Sequence, residues 1–126
     1  MSNENKNILI VDDEEAIVTL LETILNIYGY NATTCTNPVE ATTMAETMQP
    51  SLIILDVAMP DKDGYEVCLD LKKNPLTRDI PVLMVTALAL IQDKKKGLAC
   101  GADGFVFKPF DPNVVVTEIE KLISRQ

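Results

Sequence analysis

Asp12, Asp13, Asp56, Thr86 and Lys108 are the residues whose types and placement could carry out chemistry. Each directly follows a short apolar run. The acidic pair follows Asn7–Val11, Asp56 follows Leu52–Leu55, Thr86 follows Pro81–Val85, and Lys108 follows Gly104–Phe107. Carboxylates gathered in one pocket raise one another's pKa unless a cation compensates them. Magnesium suits that task, because it takes oxygen ligands and commonly uses one or two carboxylates plus a phosphate. Lysine adds a compact positive charge able to pair with Asp56 or a phosphoryl oxygen. Threonine adds a hydroxyl donor. Together these parts fit phosphoryl transfer to a carboxylate: Asp56 attacks, the metal and Lys108 neutralise developing charge, and Thr86 binds an equatorial oxygen. Taken singly, each part has a plainer role as a helix cap, a solvated turn or a local backbone partner. Their recurrence at the ends of separate apolar runs favours the chemistry.

That convergence requires the runs to be neighbouring strands. Leu52–Leu55 has no polar break and is closed by a Pro-Asp-Lys-Asp-Gly turn within Ser51–Gly64, which suits a strand buried on both faces of a parallel sheet. Asn31–Cys35 is a weaker strand, as at a sheet edge. Between the strands lie helical patterns. From Glu14, apolar residues recur at Ile17, Leu20, Leu21, Ile24, Leu25 and Tyr28, with Glu14 and Glu15 in the first turn and Gly29 as the cap. Asn37-Pro38 opens a second helix that Pro50 ends. Tyr65–Lys73 is a third. Gln92–Cys100 is a fourth, whose thin apolar stripe suggests a loosely anchored, moving part. Asp111-Pro112 caps a fifth, with Val115, Ile119, Leu122 and Ile123 facing inward. Strand–helix alternation implies a three-layer α/β domain with a doubly wound parallel (βα)5 sheet in the order 2-1-3-4-5. In that order the acidic residues meet at the switch point between the first and third strands, where such sheets bind ligands.

Composition narrows the classes. A chain of 126 residues fits one domain, here 1–126 with a polar leader at 1–6. No apolar run approaches the ~18 residues of a membrane span, and no signal peptide opens the chain. Three cysteines (Cys35, Cys68, Cys100) without any histidine exclude a usual zinc site and point to free thiols in a cytoplasmic setting. A net charge of −8 argues against non-specific nucleic-acid binding.

Four segments resemble the response-regulator receiver domains of two-component signalling, including the chemotaxis regulators: Ile10–Glu14, Leu55–Gly64, Val85–Ala87 and Gly101–Phe110. The resemblance implies a flavodoxin-like fold. It also implies that Asp56 accepts phosphate from the phosphohistidine of a histidine kinase or a histidine phosphotransfer protein. It further implies Mg2+ (or Mn2+) held by Asp13, Asp56 and the backbone carbonyl of Ala58, with Asp12 acting through water. Thr86 and Lys108 would contact the phosphoryl group, and the Lys108–Pro109 bond is expected to be cis. Thr86 and Phe105 would form the switch. The fourth helix, fifth strand and fifth helix would present a face to a downstream protein or a second copy.

Departures from the family pattern carry their own expectations. Ala58 and Leu88 stand where polar side chains often manage hydrolytic water, so loss of the phosphoryl group should be slow. The run Ala87–Ile91, followed by Lys94–Lys96, could add an apolar patch beside the switch. Two rivals remain. A haloacid-dehalogenase-like phosphatase would need an aspartate at position 58. A phosphorylation-independent docking module would not need the complete pocket.

Overall fold

The computed structural model of the chain describes residues 6–87 and 91–124, and for residues 91–94 the backbone alone. Its elements are β1 (Asn7–Val11), α1 (Glu15–Ile27), β2 (Asn31–Cys35), a 3-10 turn (Pro38–Glu40) leading into α2 (Ala41–Met48), and β3 (Leu52–Leu55). There follow α3 (Gly64–Lys73), β4 (Val82–Thr86), α4 (Ile91–Ala99), β5 (Gly104–Phe107) and α5 (Pro112–Ser124). The strands form one parallel sheet in the order β2-β1-β3-β4-β5, as the sequence implies.

The two-residue period of a strand divides the core between the faces of the sheet. Ile8 and Ile10 of β1 pack with Val18, Leu21 and Leu25 of α1 and with Val115, Ile119 and Leu122 of α5. Leu9 and Val11 pack on the opposite face with Ala41 and Ala45 of α2 and Val67, Cys68 and Leu71 of α3. Every residue of β3 is buried, which explains its unbroken aliphatic run. Each such side chain contributes about 1.5–3 kcal/mol by leaving water. β2 is an edge strand and alternates between exposed and half-buried residues until Cys35.

The structure corrects several local expectations. β4 is displaced by one residue: Pro81 stands outside the strand, while Thr86 belongs to it and is paired with Phe107. Pro81 has no N–H to donate, although its carbonyl accepts from Ile53 N at 2.9 Å. α2 stops one residue earlier than Pro50 alone requires. Gln49 adopts a left-handed conformation (φ 47), and its side-chain amide bonds the carbonyls of Glu46 and Leu76. In α1 the buried stripe runs through Val18, Leu21, Ile24 and Leu25. Leu20 and Tyr28, expected to face inward, lie on its exposed flank. Gly29 follows α1 at φ +87, a backbone conformation that glycine adopts without steric cost. No described helix is long and apolar enough to cross a membrane.

Candidate functional site

β1, β3, β4 and β5 run parallel, so their C-terminal ends share one edge of the sheet. β1 delivers Asp12 and Asp13, β3 delivers Asp56, β4 ends in Thr86, and β5 runs into Lys108. Register fixes the meeting. Val11 pairs with Leu55, and Asp56 N donates to Val11 O at 3.0 Å, so the two acidic turns leave the sheet side by side. Asp12, Asp13 and Asp56 each place one carboxylate oxygen within 4.8 Å of the others.

Asp56 and Asp12 are buried, being 3% and 2% exposed respectively. Burial, reinforced by the neighbouring charge of Asp12, pushes the Asp56 carboxyl up to about 6, against the opposing pull of Lys108 and the backbone N–H groups of Val57 and Ala58. Asp12 is likewise raised, chiefly by burial. Its Oδ1 accepts from Glu14 N at 2.9 Å, and its Oδ2 accepts from Lys108 Nζ at 3.2 Å. Burial disfavours the charge on Lys108, but the carboxylates of Asp56 and Asp12 outweigh this and hold its pKa above that of a free lysine.

Lys108 stands between three acids: Asp12 Oδ2 at 3.2 Å, Glu14 Oε1 at 3.3 Å and Asp56 Oδ2 at 3.6 Å. The expected pairing with Asp56 is thus the longest of the three. Its backbone N–H donates to Thr86 O at 2.9 Å, tying the ends of β4 and β5 together, and the Lys108–Pro109 bond is cis, as expected. Thr86 is buried at the same edge, at 2% exposure.

The acidic cluster fits a divalent cation. Asp13 Oδ1 is buried and has no hydrogen-bond partner among the described residues, a costly state for an acceptor unless a cation meets it. The cluster is made of oxygen donors alone, the set that hard cations prefer. Ala58, whose carbonyl is the expected further ligand, lies two residues past Asp56 and is exposed.

Phe105 is half-buried on the face of β5 toward α4, with its ring stacked near Phe107 at 6.3 Å between centroids. A Cβ at Gly97 of α4 would collide with that ring. The expectations for Leu88 and Leu90 fall outside the described residues, as do those for the side chains of Ile91 and Lys94.

Two residues of the site escaped the sequence reading. Glu14, read as a dipole-complementing residue of α1, reaches Lys108 instead; its adjacency to the Asp-Asp pair was the available signal. Gly64, read as part of a turn, sits so close to the main chain of Asp56 and Val57 that no side chain fits there, and its N–H donates to Val57 O at 2.8 Å. Asp63 caps α3 through Glu66 N at 2.9 Å and fixes that approach.

A sequence model described as the response regulator receiver domain matches residues 8–120. The alkaline phosphatase synthesis transcriptional regulatory protein PhoP of Bacillus subtilis is 46% identical over 121 residues, 96% of this chain and 50% of its own. A putative response regulator from Chloroflexus aurantiacus superposes with a TM-score of 0.91 at 32% identity, covering 96% of this chain and 99% of its own. The receiver domain of a sensor histidine kinase from Pseudomonas aeruginosa, with a magnesium ion coordinated in its active-site cleft, gives a TM-score of 0.88 at 26% identity, covering 96% and 99%. The chain spans about half the length of the curated relatives it matches.

Proposed function

The chain belongs to the response regulator receiver domain family, and from that premise we propose that Asp56 is its phosphoacceptor, taking phosphate from a histidine kinase or a histidine phosphotransfer protein. The observation that carries this reading is the junction of Asp12, Asp13, Asp56, Thr86 and Lys108 at one edge of the sheet, with Asp13 Oδ1 buried and, among the described residues, unpaired. Asp56 Oδ attacks phosphorus, the new O–P bond forms as the P–N bond of the phosphohistidine breaks, and the imidazole departs. A carboxyl raised to about 6 is mostly ionised at neutral pH and therefore competent as a nucleophile. Lys108 and the hydroxyl of Thr86 meet the phosphoryl oxygens. Asp13, Asp56 and the carbonyl of Ala58 would hold magnesium, with Asp12 assisting through water; once bound, the ion neutralises the carboxylates and the phosphoryl charge.

The switch we assign to Thr86 and Phe105: phosphorylation adds charge and acceptors at the strand edge, and the two-state element responds by moving the threonine and the ring. The output face is α4, β5 and α5, where Leu98 and Val114 expose apolar surface, and it serves a downstream protein or a second copy. Three free, buried cysteines support a reducing, cytoplasmic setting. Ala58 offers no side-chain hydrogen bond to hydrolytic water, so self-dephosphorylation is slow; a phosphoryl half-life of seconds with magnesium present would contradict this. Labelling by acetyl phosphate with magnesium tests the central reading. Label is expected on the wild type and absent from Asp56→Asn, and a variant that still labels would refute the assignment.

A further inference from the structure

We infer that Glu14 is a positioning residue that holds Lys108 back from the phosphoacceptor, so that phosphoryl binding must break the Glu14–Lys108 pair; this rests on the receiver reading above. Glu14 occupies the N-cap position of α1, where short side chains such as Asp or Ser bond the free N–H groups of the first turn. Its carboxylate makes no capping bond. Instead it spans 94 positions of sequence to accept from Lys108 Nζ at 3.3 Å. Its backbone N–H meanwhile donates to Asp12 Oδ1 at 2.9 Å, leaving Asp12 Oδ2 to take the same ammonium at 3.2 Å. One residue therefore acts on Lys108 twice, through its own carboxylate and by orienting Asp12. Asp56 is left with the longest contact, 3.6 Å.

Exposure separates the three acids by role. The side chains of Asp12 and Asp56 are 2% and 3% exposed, whereas that of Glu14 is 60% exposed. Releasing the ammonium from Glu14 returns its carboxylate to water and strands no buried charge. A phosphoryl group on Asp56 adds negative charge and acceptor oxygens deeper in the pocket. Lys108 then redistributes toward them, and the Glu14 pair is the contact that yields. Exposed ion pairs are weak, so the restraint is worth severalfold in affinity rather than orders of magnitude.

The test uses the whole protein with saturating magnesium and beryllofluoride as the phosphoryl mimic, comparing wild type, Glu14→Gln and Glu14→Asp. The aspartate keeps the charge and improves the helix cap, yet is one methylene too short for the lysine. Both variants are expected to bind beryllofluoride about two- to fivefold more tightly. In metal-free protein both should shift the ammonium and ε-methylene resonances of Lys108, which a role confined to capping α1 would leave unmoved. Wild-type affinity in Glu14→Asp, unchanged affinity in both, or weaker binding in either would overturn the inference while leaving the receiver reading intact. A wild-type protein that takes up no beryllofluoride would overturn that reading, and the inference with it.

Discussion

At the N-terminal end of the sheet, Lys72 of α3 donates to Ile80 O at 2.8 Å, Arg78 O at 3.2 Å and Asp103 Oδ2 at 3.0 Å. That same Asp103 oxygen accepts from Val82 N at 2.8 Å, so one lysine and one acid close the gap between α3, β4 and the turn before β5. At the C-terminal end, Lys108 serves Asp12, Glu14 and Asp56 together, and Asp13 Oδ1 has no hydrogen-bond partner among the described residues. Both ends hold a half-buried lysine among oxygens. Only the first balances its charges. Acceptors outnumber donors at the second, where burial raises the carboxyls of Asp12 and Asp56 and the neighbouring acidic charge adds to it. Charge is matched at one end of the sheet and left acidic at the other.

The sharpest way to break this contrast is to neutralise the excess. Asp56→Asn should stabilise metal-free protein at pH 7 by about 3 kcal/mol, the equivalent of a carboxyl moved from its ordinary value to about 6. The sign follows from the direction of the shift. The folded state disfavours the ionised form, so the wild-type penalty is full above pH 6, fades as pH falls, and is gone below pH 4. Urea midpoints across that range should converge at the acid end, and a gap that persists there would refute the cause. Next in size, magnesium at a hundred times its Kd should stabilise the wild type by about 2.7 kcal/mol. Asp13→Asn should lose most of that gain at the same concentration, measured by thermal melts with and without the metal.

The other end should answer oppositely. Lys72→Met is expected to cost about 2 kcal/mol in chemical denaturation, because hydrogen bonds to a charged group are lost, while magnesium affinity stays at the wild-type value. If the metal weakened as well, the two ends would not be independent. Smallest of all, Lys62→Ala removes the surface pair with Asp70 beside α3 and should change stability by no more than about 1 kcal/mol.

Much of this is legible in the sequence, for a physical reason. A strand buried on both faces must be apolar throughout, so the first polar residue after each run marks its exit from the core. Asp12, Asp56 and Lys108 could be placed at strand ends on that ground alone, and the alternation with helices supplied the sheet order. Thr86 was misjudged by one position because proline and threonine trade places at the two ends of β4 without altering the apolar count. Leu20 and Tyr28 were misjudged because a period of 3.6 leaves the flanks of a helical stripe undecided. The partners of Lys108 were beyond reach. Which of several nearby acids an ammonium approaches depends on side-chain length and packing, and neither is written in spacing along the chain.

The glycine at position 97 gives the helix above β5 a notch, and the ring of Phe105 fills it. Two residues from different elements thereby occupy a single volume that neither could fill alone. Bulk added to one must be subtracted from the other, so an alanine in α4 and a smaller residue in β5 should be tolerated as a pair where the alanine alone is not. Any travel of that ring also empties a slot in the helix, converting a rotamer change into a change of surface shape.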